Sequence, residues 1–321
     1  MQKMYKPIIL ILFIVGMGFS GIRQTVCPSS CNYTTIQACE DNLTKSYTGV
    51  GKDTCDITVA GRYIQSVAIN GQSNTDANNY PIFLSSLPLG QVELYNSTTH
   101  TVDINNVPFA QVCCLVISQG NSSQYTVRVN SAIGGVVIDR CYIKPIVDAY
   151  GVTYTVAPAG SPRAILQNSI VRCSSATSNK SGVYAPIALN NVTIVGFKQG
   201  VTEALPTNVA VVTEKSAPQT AFTSLLAGGN YNSSYDNTAP GANSIINTTD
   251  IKLKSDSIHI FKTSPLFGIG TTLSNLRDID NDLFRVPRSI GADEPYDSSD
   301  SSSSIRRCGP LRRIGVAPCR R

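Results

Sequence analysis

Three stretches decide how this chain folds: Ile138-Asp139-Arg140-Cys141-Tyr142-Ile143, Leu166-Gln167-Asn168-Ser169-Ile170-Val171 and Leu189-Asn190-Asn191-Val192-Thr193-Ile194-Val195. Each opens on an apolar residue, crosses a polar or amide turn and closes on a second short apolar run. Their first residues lie 28 and 23 positions apart. A repeat of about 20 to 30 residues points to a solenoid. One coil alone cannot bury its inward side chains, whereas stacked coils share a continuous interior column. Parallel strands in such a stack lie about 4.8 Å apart. Inward asparagines at the turns would then bond one another through their side-chain amides, and Asn168, Asn190 and Asn191 are the candidates.

The same texture extends outward from these copies. Short runs rich in Val, Ile, Leu, Tyr and Thr recur at 55–59, 65–69, 80–84, 91–95, 113–118, 125–129, 136–139 and 164–166. Gly, Asn, Pro and Ser bound them, which is the pattern of strands between turns. About 160 residues at roughly 25 per coil predict six or seven coils. The competing architecture is a sandwich of antiparallel hairpins. It would favour Asn-Gly turns, and Asn70-Gly71 is the only such pair. The predicted class is therefore all-β, a parallel β-helix solenoid.

Ahead of the repeats, residues 34–43 read as one short helix. Thr34 with Gln37 three residues on fits a capping box. Ile36, Cys39 and Leu43 form one apolar stripe. A solenoid's open end exposes apolar interior and strand edges, so this helix is expected to cap it.

The chain has 321 residues, of which 42% are hydrophobic and only 15% charged. Soluble domains average about 25% charged residues, and here Ser, Thr, Asn and Gly stand in the place of charge. Ample apolar content argues against a mainly disordered chain. Lys3 and Lys6 precede an apolar run over residues 7–19, too short for an easy span of about 20 residues. Gly18-Phe19-Ser20 supplies small residues for cleavage, so residues 1–20 read as a secretory signal peptide and the mature chain as secreted or cell-surface, with an uncleaved membrane anchor as the alternative. No other segment is apolar enough to span a membrane.

Export accounts for the cysteines, whose even count of 10 allows full pairing. Cys27, Cys31, Cys39 and Cys55 are placed to staple the N-terminal region, and Cys308 with Cys319 to close a C-terminal loop. Cys113, Cys114, Cys141 and Cys173 sit in apolar runs, where a thiol behaves as a small hydrophobe. No paired CxxC occurs, and His100 and His259 lie far from any cysteine cluster, so cysteine-based metal binding is not expected.

Net charge is +5. Loss of Lys3 and Lys6 with the leader leaves +3, and without the six arginines beyond residue 305 the body stands at −3. The basic character belongs to the tail, and nothing marks the body as a nucleic-acid binder. Residues 297–304 form a Ser/Asp linker, and the Arg-rich segment beyond is suited to an anionic surface. The organisation is thus signal peptide 1–20, Cys-containing leader and helix 21–54, β-helix domain 55–296 and tail 297–321. Eight sequons, at Asn32, Asn42, Asn96, Asn121, Asn179, Asn191, Asn232 and Asn247, are glycan acceptors if the chain passes through a eukaryotic secretory pathway.

The segment Tyr33-Thr34-Thr35-Ile36-Gln37-Ala38-Cys39-Glu40-Asp41 resembles the opening helix of exported right-handed parallel β-helix proteins of the pectin-lyase-like type. The run from Asn230 to Ser244 is similar to their late coils. Ser264-Pro265-Leu266-Phe267-Gly268-Ile269-Gly270, then Asp278-Ile279-Asp280-Asn281-Asp282, Arg285 and Ser289-Ile290-Gly291-Ala292-Asp293-Glu294 resemble the close of choice-of-anchor Q domain proteins. The resemblance spans about residues 31–296, and Asn281 departs from it where glycine is usual. It implies a right-handed β-helix, export and a modular surface role. It implies no reaction, because the fold carries lyases, hydrolases, tailspikes and adhesins alike.

A glycoside hydrolase needs two carboxylates about 5 to 9.5 Å apart. The eight acids between residues 57 and 249 include no pair adjacent or one apart. A lyase needs a basic residue and, commonly, Ca²⁺. The best local set for that chemistry is Asp139, Arg140 and Lys144 with Asp148; its alternative is a polar outer face of one coil. Asp278, Asp280 and Asp282 have the alternate spacing of a Ca²⁺ loop without the Gly and Glu of an EF-hand. No cofactor is required by any motif, and two histidines leave little room for His-based catalysis. The expected role is a non-catalytic structural, adhesive or carbohydrate-binding surface protein, with extracellular glycan or further copies of itself as partners. Polysaccharide lyase or hydrolase is the alternative, and a tailspike-like receptor binder the second.

Overall fold

A computed structural model describes residues 21–130, 135–155, 164–174, 179–184, 186–212, 220–225, 229–248, 250–252, 259–273, 277–280, 282 and 287–295. Residues 1–20, where a signal peptide is expected, the linker, the Arg-rich tail with Cys308 and Cys319, and Asn281 lie outside the described residues. Among the described residues no helix is long and apolar enough to cross a membrane.

Strand β1 (Arg23–Val26) precedes helix α1 (Ile36–Asp41), and the coils follow. The first coil is β2 (Thr54–Ile57), β3 (Gly61–Ile64) and β4 (Val67–Asn70); the second is β5 (Ile82–Ser85), β6 (Val92–Asn96) and β7 (Val102–Asn105). The third is β8 (Phe109–Cys113), β9 (Val116–Gln119) and β10 (Tyr125–Asn130); the fourth is β11 (Gly135–Asp139), β12 (Tyr142–Pro145) and β13 (Tyr150–Tyr154). From the fifth coil the first two strands run together: β14 (Ala164–Arg172) with β15 (Ser181–Tyr184), β16 (Ala188–Val195) with β17 (Gln199–Thr202), and β18 (Leu205–Val212) with β19 (Thr220–Thr223). The short β20 (Ser233–Ser234) extends the stack. Each strand pairs in parallel with its counterparts in neighbouring coils, giving sheets of 13 and 7 strands. The chain is an all-β parallel solenoid, with seven coils among the described residues, whose strand pairs are parallel rather than the antiparallel hairpins of a sandwich.

Period-2 alternation places one set of side chains inward. Val112, Ile138, Leu166 and Leu189 stack in register as one fully buried column. Leu94, Ile117, Ile143, Val171, Ile194 and Val211 form a second. Val67, Val102, Val127, Val152, Val183, Val201 and Phe222 form a third, on the seven-stranded sheet. Burial of each such side chain contributes about 1.5–3 kcal/mol. Beside the third column Gly151, Gly182 and Gly200 follow one another: a Cβ on Gly151 would meet the Gly182 carbonyl, and one on Gly182 the Gly200 carbonyl. Only glycine allows the backbones to approach there.

From the third coil onward the corner between the first two strands turns on a residue with positive φ. Cys114, Arg140, Asn168, Asn191, Asn208 and Tyr231 occupy it in successive coils. Asparagine tolerates this left-handed region best after glycine. The Asn208 amide donates to Asn191 Oδ1 at 2.9 Å, Asn191 to Asn168 Oδ1 at 3.0 Å, and Asn168 to Asp139 Oδ1 at 2.8 Å. The ladder thus takes Asn208 in place of the expected Asn190. Asn190 lies one residue ahead of the corner and is half-exposed.

Helix α1 is shorter than predicted, and its N-cap is Thr35 rather than Thr34, with Thr35 Oγ1 accepting from the Ala38 amide at 3.1 Å. Gln37 therefore closes no capping box. Its side-chain amide pairs with β4 instead, accepting from Ala68 N–H at 2.8 Å and donating to Ala68 O at 3.2 Å. Glu40 accepts from Asn70 N–H at 3.1 Å. The helix caps the outermost strand of the seven-stranded sheet by satisfying its edge with side chains. Disulfides join Cys27 to Cys31 and Cys39 to Cys55. Cys113, Cys114, Cys141 and Cys173 are buried thiols outside any disulfide.

Beyond β20 the described residues carry no further strand or helix. They form a strap over the outward face of the second strands. Ile251, Ile260, Leu266 and Ile290 pack on Val195, Ala210 and Val212, and Ile279 and Ala292 pack on Ile170. Ala292 N–H donates to Thr193 Oγ1 and Gly291 N–H to Asn208 O. The solenoid is apolar on both sides there because the strap covers it.

Candidate functional site

On the seven-stranded sheet, strands 102–105, 127–130 and 152–155 alternate an inward Val, Ile or Tyr with an outward polar residue. In-register stacking turns that alternation into rows along the solenoid. Asp103, Arg128, Thr153 and Tyr184 are successive rungs of one row. Arg128 Nε and Nη2 grip Asp103 in a bidentate pair at 2.8 and 2.6 Å. In the next row Thr155 donates to Asn130 Oδ1, and Asn130 to Asn105 Oδ1, each at 3.1 Å.

The third row is aromatic. His100, Tyr125, Tyr150 and Tyr184 follow one another with ring centroids 5.1, 5.2 and 6.2 Å apart and planes tilted by 32°, 46° and 51°. Tyr125 and Tyr150 are register partners. Tyr184 belongs to the ion-pair row by register, and its ring leans back toward Tyr150. Lys180 Nζ lies 5.0 Å from the Tyr150 centroid, within cation–π range. Tyr184 is the most open ring, at 42% exposure. His100 Nδ1 accepts from the Tyr125 amide at 3.1 Å, which fixes the proton of the neutral ring on Nε2. Burial, followed by the Arg128 charge, holds His100 below its ordinary range.

The face therefore offers a run of tyrosine rings with hydroxyl, amide and ion-paired groups alongside. Such rings present a large apolar body with a polar tip. Arg128 is neutralised by Asp103, so the face is not the uncompensated basic track that a phosphate backbone requires.

The other predicted site residues are placed differently. Asp139 and Arg140 come together, with Arg140 Nε 2.9 Å from Asp139 Oδ2. Both belong to the corner ladder, where Asp139 Oδ1 ends the asparagine series and also accepts from Gln167 at 3.3 Å. Lys144 acts on Glu93: burial works against that carboxylate, but Arg62, Ser118 and Lys144 outweigh it and hold it below its usual range. Asp148 accepts from Asn179 N–H at 2.6 Å. The set thus divides three ways: Asp139 with Arg140, Lys144 toward Glu93 and Asp148 with Asn179. Burial pushes the Cys141 thiol far up, as suits an inert core residue.

The expected Asp278, Asp280, Asp282 loop does not converge its three side chains on one point. Asp278 Oδ1 instead accepts from the amides of Asp280 and Asp282 at 3.1 and 2.7 Å and organises the turn. Asp280 turns to His259, its Oδ2 2.7 Å from Nε2. Among the sequons, Asn191 and Asn232 are fully buried and Asn96 nearly so, whereas Asn32, Asn42, Asn179 and Asn247 are exposed and Asn121 is half-buried. A glycan on Asn191 would break the ladder, so folded chain has no room for one there.

The tyrosine row escaped sequence reading, although the spacing of Tyr125 and Tyr150 matches that of Val127 and Val152. The approach of Asp280 to His259 had no local signal at all. Comparison with family models, curated proteins and solved structures finds no match to this chain.

Proposed function

We propose that this chain is an exported, non-catalytic surface protein whose seven-stranded face binds carbohydrate. The carrying observation is the row His100, Tyr125, Tyr150 and Tyr184, one ring per coil, flanked by the Arg128–Asp103 pair and the Asn105–Asn130–Thr155 series. Tyrosine rings stack on the apolar faces of sugar rings, and the flanking groups suit their hydroxyls. The repeat along the row, about 4.8 Å per coil, suits a linear glycan lying along the solenoid axis. Two disulfides support an oxidising compartment, in keeping with the leader sequence. The neutralised Arg128 favours neutral glycans over nucleic acid.

A glycan-array screen of the mature protein tests this, run beside assays for unsaturated uronates and new reducing ends. The expected result is binding without turnover. Tyr184→Ala should then weaken binding at least about tenfold, or 1.4 kcal/mol, with the fold unchanged by circular dichroism. Turnover of any polysaccharide would establish the lyase or hydrolase alternative instead. Full affinity in Tyr184→Ala would remove the aromatic row from the binding surface.

A further inference from the structure

The strap brings together groups far apart in sequence. His259, Asp280 and Asp293 each place one ligand atom within 4.8 Å of the other two. Asp280 is 21 residues from His259, and Asp293 is 33 from Ile260, whose amide donates to Asp293 Oδ2 at 2.7 Å. Asp278 is fully buried immediately beside them, and its Oδ2 has no hydrogen-bond partner among the described residues. Two carboxylates beside a single imidazole make a set whose charge a divalent cation would balance.

We infer that His259, Asp280 and Asp293 form a divalent transition-metal site, with Zn²⁺ as its best-suited ion, that ties three stretches of the strap to one another. The imidazole nitrogen excludes the all-oxygen set that Ca²⁺ prefers and matches Zn²⁺, for which one nitrogen and carboxylate oxygens are ordinary ligands. Asp278 supports the site from behind. Its Oδ1 holds the Asp280 and Asp282 amides and so fixes the backbone that presents Asp280. The role follows from position. The described residues of the strap carry no strand or helix beyond β20, and one ion would cross-link three of its stretches, which makes metal affinity part of folding stability.

The test uses the full mature chain, stripped with EDTA and titrated with Zn²⁺ alone by calorimetry, with thermal unfolding in parallel. One equivalent should bind, and a hundredfold excess over Kd should raise Tm by at least about 4 °C. Co²⁺ should give d–d bands without a thiolate charge-transfer band, which separates this site from the buried cysteines. Asp280 is half-exposed, so Asp280→Asn should fold normally and lose at least tenfold in Zn²⁺ affinity. His259→Gln should do the same and serves if Asp280→Asn misfolds. Absence of Zn²⁺ binding, unchanged affinity in the variants, a thiolate band, or greater stabilisation by Ca²⁺ than by Zn²⁺ would each overturn the assignment.

Discussion

The single most consequential residue type in this molecule is the corner asparagine. Asn191 holds positive φ, donates to Asn168 and accepts from Asn208, all without contact with water. Asn191→Ala would strand the Asn168 carbonyl and one Asn208 proton and place alanine in the left-handed region. Each buried group left without a partner costs about 1–3 kcal/mol, so the loss should be about 2–4 kcal/mol, read from denaturant unfolding with an unchanged m-value. Asn190→Ala, one residue ahead and outside the ladder, should cost under about 1 kcal/mol. Equal losses in the two variants would show that the ladder carries no special weight. The same corner gives Asp139 and Arg140 a place in the ladder. A carboxylate is a sound end-stop for a series of amide donors, and Arg140 neutralises it.

At the scale of elements, α1 shows how a short helix can end a sheet. Gln37 and Glu40 reach the β4 backbone as a neighbouring strand would, while Ile36, Cys39 and Leu43 enter the core. The Cys39–Cys55 bridge ties this cap to β2 across a separation of 16 residues. In the chain-entropy view a loop of that size contributes about 3 kcal/mol. Replacement of both cysteines by serine should lower stability by about 2–4 kcal/mol and increase hydrogen exchange first at β4, whose edge the helix covers. Equal protection of β4 in the variant would show that the side-chain contacts hold the cap without the bridge.

At the scale of the whole molecule, solenoid and strap divide the work. The three interior columns depend only on neighbouring coils, so the coils should resist proteolysis together. The strap depends on its apolar contacts with Ile170, Val195, Ala210 and Val212. Ala292→Arg places a charged side chain against Ile170 and should release the strap, so that trypsin cuts beyond residue 250 while the coils persist as one resistant core. Uniform loss of the whole chain would instead make strap and solenoid one cooperative unit.

The stack of coils was legible in the sequence because its cause is local. Ile138, Leu166 and Leu189 mark the period, and strand alternation around Val127 and Val129 sets which residues enter the core. Any register that keeps those side chains out of water must stack them in columns. The cap was legible for the same reason, apart from one residue of phase that moved the N-cap to Thr35 and gave Gln37 to β4. Asn208 was missed because its coil is shorter, 17 residues from Asn191 against the 23 between Asn191 and Asn168. The rest depends on which coil lies beside which, and short-range patterns do not encode that. Rings 25 residues apart met only because the turns between them have equal length, and Tyr184 joined them from another register row. His259 reached Asp280 and Asp293 only because the strap folds back. Sequence patterning by itself pointed to the all-β parallel solenoid, since a repeat of about 20–30 residues with few hairpin turns buries its apolar set by stacking coils. Tertiary structure alone decided the tyrosine row and the strap cluster, since coil lengths and long-range return of the chain set those distances.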